Sequence, residues 1–81
     1  MQPEHVKTLL EAHLPDCDID VASSDGSHFD VVVVGDVFEG LSPVKKQQLV
    51  YGALSAQIAE GSVHAVNMKT YTRSEWQQNN G

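Results

Sequence analysis

A capped helix lies between two strand-like segments, and this arrangement constrains the fold more than any other feature. Ser42 offers an N-cap, and Pro43 suits a first helical turn. Val50, Leu54 and Ile58 then form one stripe of a helix running from 43 to 60. Gly61 supplies a natural stop. Before the helix lies FDVVVVG, residues 29–35, the strongest strand in the chain, whose four consecutive valines predict cover on both faces. After it, HAVNMKTY, residues 64–71, alternates with Val66 and Met68 facing one way and Asn67 and Lys69 the other. Two strands joined by a long helical crossover pair in parallel, with a right-handed connection.

The remaining elements follow from local signals. Residues 3–14 predict a helix with Pro3 in its first turn and Val6, Leu9, Leu10 and His13 on one stripe. Pro15 and Asp16 end it. DIDVA, residues 18–22, predicts a short strand with Ile19 and Val21 on one face, and SSDGS, residues 23–27, is a loop by composition. The closeness of the first two strands predicts an antiparallel pair. Asp36 to Leu41 reads as a turn. Thr72 and Glu75 form a T-x-x-E capping box that starts a short helix carrying Trp76. Residues 77–81 read as a frayed tail. The order is αββαβα: an α+β domain with a three-stranded mixed sheet and helices on one face.

Eighty-one residues make one small domain. A chain of this size buries only about 60% of its unfolded surface. No apolar run is long enough to span a membrane. The N-terminus carries acidic residues and lacks an apolar signal core, so the expected location is the cytosol. Five basic residues against eleven acidic ones give a net charge of −6, which argues against a strong nonspecific grip on nucleic acid. Lys45 and Lys46 are the one adjacent basic pair, while Lys69 and Arg73 lie near each other in sequence. Cys17 is the single cysteine, so no intramolecular disulfide or CxxC site exists, and it reads as a packed small hydrophobe.

The topology gives two histidines a shared address. His28 immediately precedes Phe29 at the start of the second strand, and His64 opens the third. Parallel strands start at the same end of a sheet. If adjacent, these starts lie roughly 5 Å apart plus any stagger. Two readings stand side by side. His64 shares a face with Val66 and Met68 and can be an ordinary residue at the edge of the core. Alternatively, the two imidazoles form half of a metal site. Two histidines cannot close a structural zinc site, which takes four protein ligands, so the remaining ligands would come from a partner. Mixed Cys and His ligation of an iron–sulfur centre meets that requirement. His5 and His13 read as helix-surface or boundary residues.

Other chemistry finds little support. There is no nucleophile elbow, P-loop or dinucleotide fingerprint. Ser23, Ser24 and Ser27 neighbour His28, but the sequence assigns neither an orienting acid nor an oxyanion hole to a Ser–His pair. Asp16, Asp18 and Asp20 alternate through a strand start as its solvated face. They lack the glycine and terminal glutamate of a calcium loop.

The segments GSHFDVVVVGDVFEGLSPVKKQQLVYGAL and VHAVNMKTYTRSEW resemble the BolA family, and more narrowly its short acid-stress branch. The likeness is strongest from Gly26 to Trp76. It implies a stand-alone αββαβα domain similar to the class II KH fold. It also implies a non-catalytic protein that pairs with a monothiol glutaredoxin of the CGFS type. In that pairing a [2Fe-2S] cluster is shared with the glutaredoxin and glutathione, and the isolated chain carries none. The resemblance gives His64 as the C-terminal ligand, and His28 as the ligand from the loop before the second strand. Some relatives place the loop ligand earlier, where this chain has Ser23, Ser24 and Asp25. The free chain is expected to be a monomer or weak homodimer.

A rival reading is a nucleic-acid-binding regulator that uses the KH-like fold, with Lys45, Lys46 and Lys69 as contacts to nucleic acid or a partner. Relatives with an Arg-His-Arg segment on the long helix are more basic there than KKQQ, residues 45–48. A GxxG clamp, normal for KH modules, is absent from the sequence.

Overall fold

The structure, a computed structural model, describes residues 1–80, with side chains through residue 78. The elements follow the order α1 (Pro3–His13), β1 (Asp18–Ala22), β2 (His28–Val34), a 3-10 turn (Asp36–Phe38), α2 (Pro43–Ala59), β3 (Ala65–Tyr71) and α3 (Arg73–Asn80). The sheet order is β1-β2-β3, with β1 antiparallel and β3 parallel to β2. This is the mixed three-stranded sheet expected from the hairpin-like pair and the helical crossover. β3 begins one residue later than the alternation predicts.

Local chemistry explains the boundaries. The Ser42 side chain accepts a hydrogen bond from the Lys45 amide at 3.3 Å, capping α2. Gly61, with φ +86°, turns the chain out of α2 in the left-handed region that favours glycine. The Thr72–Glu75 capping box closes in both directions. The Thr72 amide donates to Glu75 Oε1 at 2.8 Å, and the Glu75 amide donates to Thr72 Oγ1 at 3.1 Å. From this cap α3 continues to Asn80. Residues 77–80 are therefore helical where a frayed tail was expected. Gln77 and Gln78 are good helix formers. The last residue of that tail, Gly81, lies outside the described residues.

The core fills the space between the sheet and the two long helices. Val6, Leu10 and Leu14 of the first helix region meet Ile19, Phe29, Val31 and Val33 of the sheet and Val50 and Leu54 of α2. Phe38 and Val63 join this core from connecting segments, and both are almost fully buried. Ile58 departs from the expected stripe. It is 38% exposed and lines an open cavity with Val63 and Val66 instead.

The four valines are not equally covered. Val31 and Val33 face the helices and are buried, whereas Val32 on the other face is half-exposed. That outer face is covered at one end only. There Trp76 of α3 lies against Tyr71 with ring centroids 5.3 Å apart, and lines a shallow cavity with Asp18, Asp20, Val32 and Val34. Arg73 secures α3 by donating to Asp18 Oδ2 and to the Asp16 carbonyl, both at 2.8 Å.

Candidate metal centre

Parallel pairing of β2 with β3 sets His28 opposite Ala65, so His64 and His28 lie at the same end of the sheet. The Ser27 carbonyl completes the junction by accepting from the His64 amide at 2.9 Å and the Ala65 amide at 3.3 Å. The two imidazoles stack with centroids 6.3 Å apart and planes inclined by 24°. Strict alternation would place His28 with Asp30 and His64 with Val66, on opposite faces. They meet because both stand at the sheet's end, where neither ring is enclosed by neighbouring strands.

His64 is exposed, so it is not the edge-of-core residue that alternation allowed. It stands at the mouth of a cavity of about 500 Å³, lined also by Tyr51, Ile58, Val63 and Val66. The exposed faces of Tyr51 and Ile58 make an apolar shelf beside the imidazole.

The loop from Ser23 to Ser27 is shaped by one aspartate. Asp25 Oδ1 accepts from the Ser27 amide at 2.9 Å and the His28 amide at 2.8 Å, an Asx-type turn. The Ser23 hydroxyl donates to the His28 carbonyl at 2.7 Å and accepts from the Gly26 amide at 2.9 Å. Gly26 holds φ +76°, a conformation glycine adopts without steric cost. Asp25 Oδ2 lies 2.6 Å from His28 Nδ1. The His28 amide, the Ser27 amide and the His28 ring together hold the Asp25 carboxyl well below the usual carboxylate range.

Sequence reasoning missed this acid. From sequence, Asp25 stands only among the loop positions where some relatives carry the ligand, and no orienting acid is assigned to His28. The signal was present as D-G-S-H, with an aspartate three residues before a histidine in a glycine turn. An orienting acid still does not create a Ser–His pair. The Ser23 hydroxyl bonds the His28 carbonyl, not its ring.

No group of three or more His, Cys, Asp or Glu with metal-holding geometry occurs among the described residues. The arrangement therefore offers two imidazoles and an open side. That fits a metal or cluster whose other ligands arrive with a partner, and it does not fit a self-contained structural zinc site. Cys17 lies elsewhere, packed beside Gly35, and burial pushes its thiol pKa up despite the opposing charge of Arg73.

The lysines do not converge. Lys45 stands in the first turn of α2 beside His13 and Leu49, with Lys46 half-buried next to it. Lys69 lies on the outer sheet face beside Asp30 and Asn67. Asn67 donates to Asp30 Oδ1 at 3.2 Å, so that face carries its own polar pairing.

Residues 1–75 match the family model for BolA-like proteins, and the chain belongs to that family. It is similar to the acid stress protein IbaG of Escherichia coli K12, with 57% identity over 54 residues. That match covers 67% of this chain but 64% of the relative, so just under two thirds of the relative's length is spanned. It is 39% identical over 79 residues to the DNA-binding transcriptional regulator BolA of Vibrio cholerae, covering 98% of this chain and 70% of that one. The solved structure of a BolA homologue from Coxiella burnetii superposes with a TM-score of 0.81 at 32% identity, covering 95% of this chain and 97% of the other. Neither named relative bears the name of an enzyme.

Proposed function

We propose that this chain is a non-catalytic partner of a monothiol glutaredoxin and shares a [2Fe-2S] cluster with it through His64 and His28. The stacked, exposed pair at 6.3 Å carries the reading. Its incompleteness is the point: two ligands on a small chain need thiolates from glutaredoxin and glutathione. The apolar shelf of Tyr51 and Ile58 beside His64 provides surface for a partner to cover. When bound, such a cluster supplies one-electron chemistry, and exchanging a thiolate for imidazole makes it less negative and raises its potential. The role belongs to iron–sulfur trafficking or to the response to iron or acid stress, in line with the acid-stress name of the Escherichia coli relative.

The test is a visible absorption and circular dichroism titration of the glutaredoxin-bound cluster with wild-type chain and His64→Ala. Saturating spectral change with wild type, lost in the variant, is the expected result. An unchanged heterodimer spectrum in His64→Ala sinks the ligand assignment.

The name of the Vibrio cholerae relative favours a second reading, DNA binding. It predicts salt-sensitive binding that Lys45→Glu weakens. The separation of Lys45 from Lys69 and the net charge of −6 weigh against it.

A further inference from the structure

The Asp25–His28 contact separates the two imidazoles into different kinds of ligand. Asp25 Oδ1 is occupied by two backbone amides, which leaves Oδ2 directed at His28 Nδ1 at 2.6 Å. A carboxylate can only accept, so Nδ1 must carry the proton. The neutral ring then has its lone pair on Nε2. His64 has no such partner: among the described residues its backbone amide is bonded to Ser27, and its ring makes no hydrogen bond.

We infer that Asp25 is a positioning residue, which fixes the tautomer and orientation of His28 so that Nε2 is presented as the metal-binding atom. The inference rests on the shared-cluster reading and adds a residue to it. Carboxylate–histidine–metal arrangements of this kind orient a ligand ring and raise its basicity. The backbone supports the same conclusion. The amides that hold Asp25 belong to Ser27 and His28 themselves, so carboxylate and imidazole are locked in one turn. The Ser23 hydroxyl ties that turn to the His28 carbonyl. Few rotations remain by which His28 could present its other nitrogen.

Asp25→Asn separates positioning from loop folding. The asparagine Oδ1 can still accept from the two amides. Its NH2 replaces Oδ2 and can donate to Nδ1 but cannot accept from it. The favoured tautomer should therefore invert to Nε2–H, which blocks the ligating atom. Asp25→Ala removes both functions and reports what loop collapse looks like.

The experiment has two readouts. Nitrogen-15 NMR of the histidine rings in the free chain, above the ordinary imidazole titration range, reads the tautomer. Amide shifts of Ser27 and His28 report the loop. The wild type should show His28 protonated at Nδ1, and Asp25→Asn should show Nε2–H with the two amide shifts retained. Titration into cluster-loaded glutaredoxin should then require roughly tenfold or more Asp25→Asn chain for half the spectral change, the usual scale for loss of such a partner. An unchanged tautomer in Asp25→Asn overturns the inference. So does an inverted tautomer with undiminished cluster response. Failure of the underlying reading is distinct: wild-type chain leaves the cluster spectrum unaltered while the tautomer still inverts in Asp25→Asn. That outcome overturns the metal-facing role of the pair as well.

Discussion

Gly35→Ala is expected to destabilise the fold, and Cys17→Ala to relieve most of the damage. Gly35 is buried just beyond β2, and its φ of −176° is extended backbone that any residue adopts. The effect therefore comes from what the new methyl meets. An ideal Cβ would collide with Cys17 Sγ and lie 3.3 Å from Cys17 Cβ and 3.4 Å from Cys17 Cα. The sulfur is the main obstacle: rotation about χ1 moves it only at a rotamer cost, whereas the two looser contacts to Cys17 Cβ and Cα are ones that an alanine at position 17 would keep. Retreat of the glycine is opposed by its amide, which donates to the Tyr71 carbonyl at 2.9 Å. Overpacking of this type costs roughly 1–3 kcal/mol, and the freedom of the sulfur favours the lower half of that range. At about 4–8 °C per kcal/mol for a domain of this size, Tm should fall by roughly 4–16 °C. Cys17→Ala alone should cost about 1 kcal/mol or less. The double variant should recover about 1 kcal/mol relative to additivity. Urea unfolding of the four proteins, with equal m-values, measures the coupling. Additive single effects, or a Gly35→Ala variant as stable as wild type, would refute the packing argument. His28 lies at the far end of β2, about 20 Å of strand away. The cluster titration should therefore be unchanged at temperatures where the variant remains folded.

Phe38→Ala should cost about 3–5 kcal/mol, because the ring is almost fully buried and its removal leaves a cavity. That is a large share of the stability of a small domain, so a collapse of the urea midpoint is expected, while an unchanged midpoint would show that Phe38 is dispensable to the core. Acidification should loosen α3. The Thr72 amide holds the Glu75 carboxyl below its ordinary value, so the cap is fully effective above the ordinary glutamate range near pH 4.3 and is lost as pH falls through the lower folded value. Trp76 fluorescence should report this as an acid step that Glu75→Gln removes, and a step of the same position and size in that variant would rule out Glu75 as its source.

Much of the fold was legible because its signals were local and repeated. Ser42 with Pro43, Gly61, and Thr72 with Glu75 marked three helix boundaries, and each acts in the predicted manner. The crossover rule then gave the parallel β2–β3 pair. Less was legible where burial depends on what happens to lie opposite. Phe38 and Val63 entered the core from segments without periodicity, while Ile58 left it for the wall of an open cavity beside Val63 and Val66. Four consecutive valines carried no information on which face would remain open. The answer depended on the reach of α3, which Trp76 extends over one end of the outer face.

The histidine pair shows the difference between proximity and orientation. Topology alone brought His28 and His64 to one end of the sheet, across a sequence separation that no spacing motif would detect. Alternation, applied strictly, put their side chains on opposite faces. A parallel ladder fixes where two strands begin, but its pleat no longer dictates direction at the first residue. There, direction is set by the loop that precedes it. In β2 that loop is the Asp25 turn, which secures both the amide and the ring of His28. In β3 it is the Gly61 exit from α2, followed by Val63 anchored in the core and the His64 amide held on Ser27. Each imidazole is thus aimed by backbone that is itself fixed, while both rings remain open to solvent. A surface meant only to be hydrated has no need of two such anchors, and their convergence on one exposed point is the physical reason to look for a metal there.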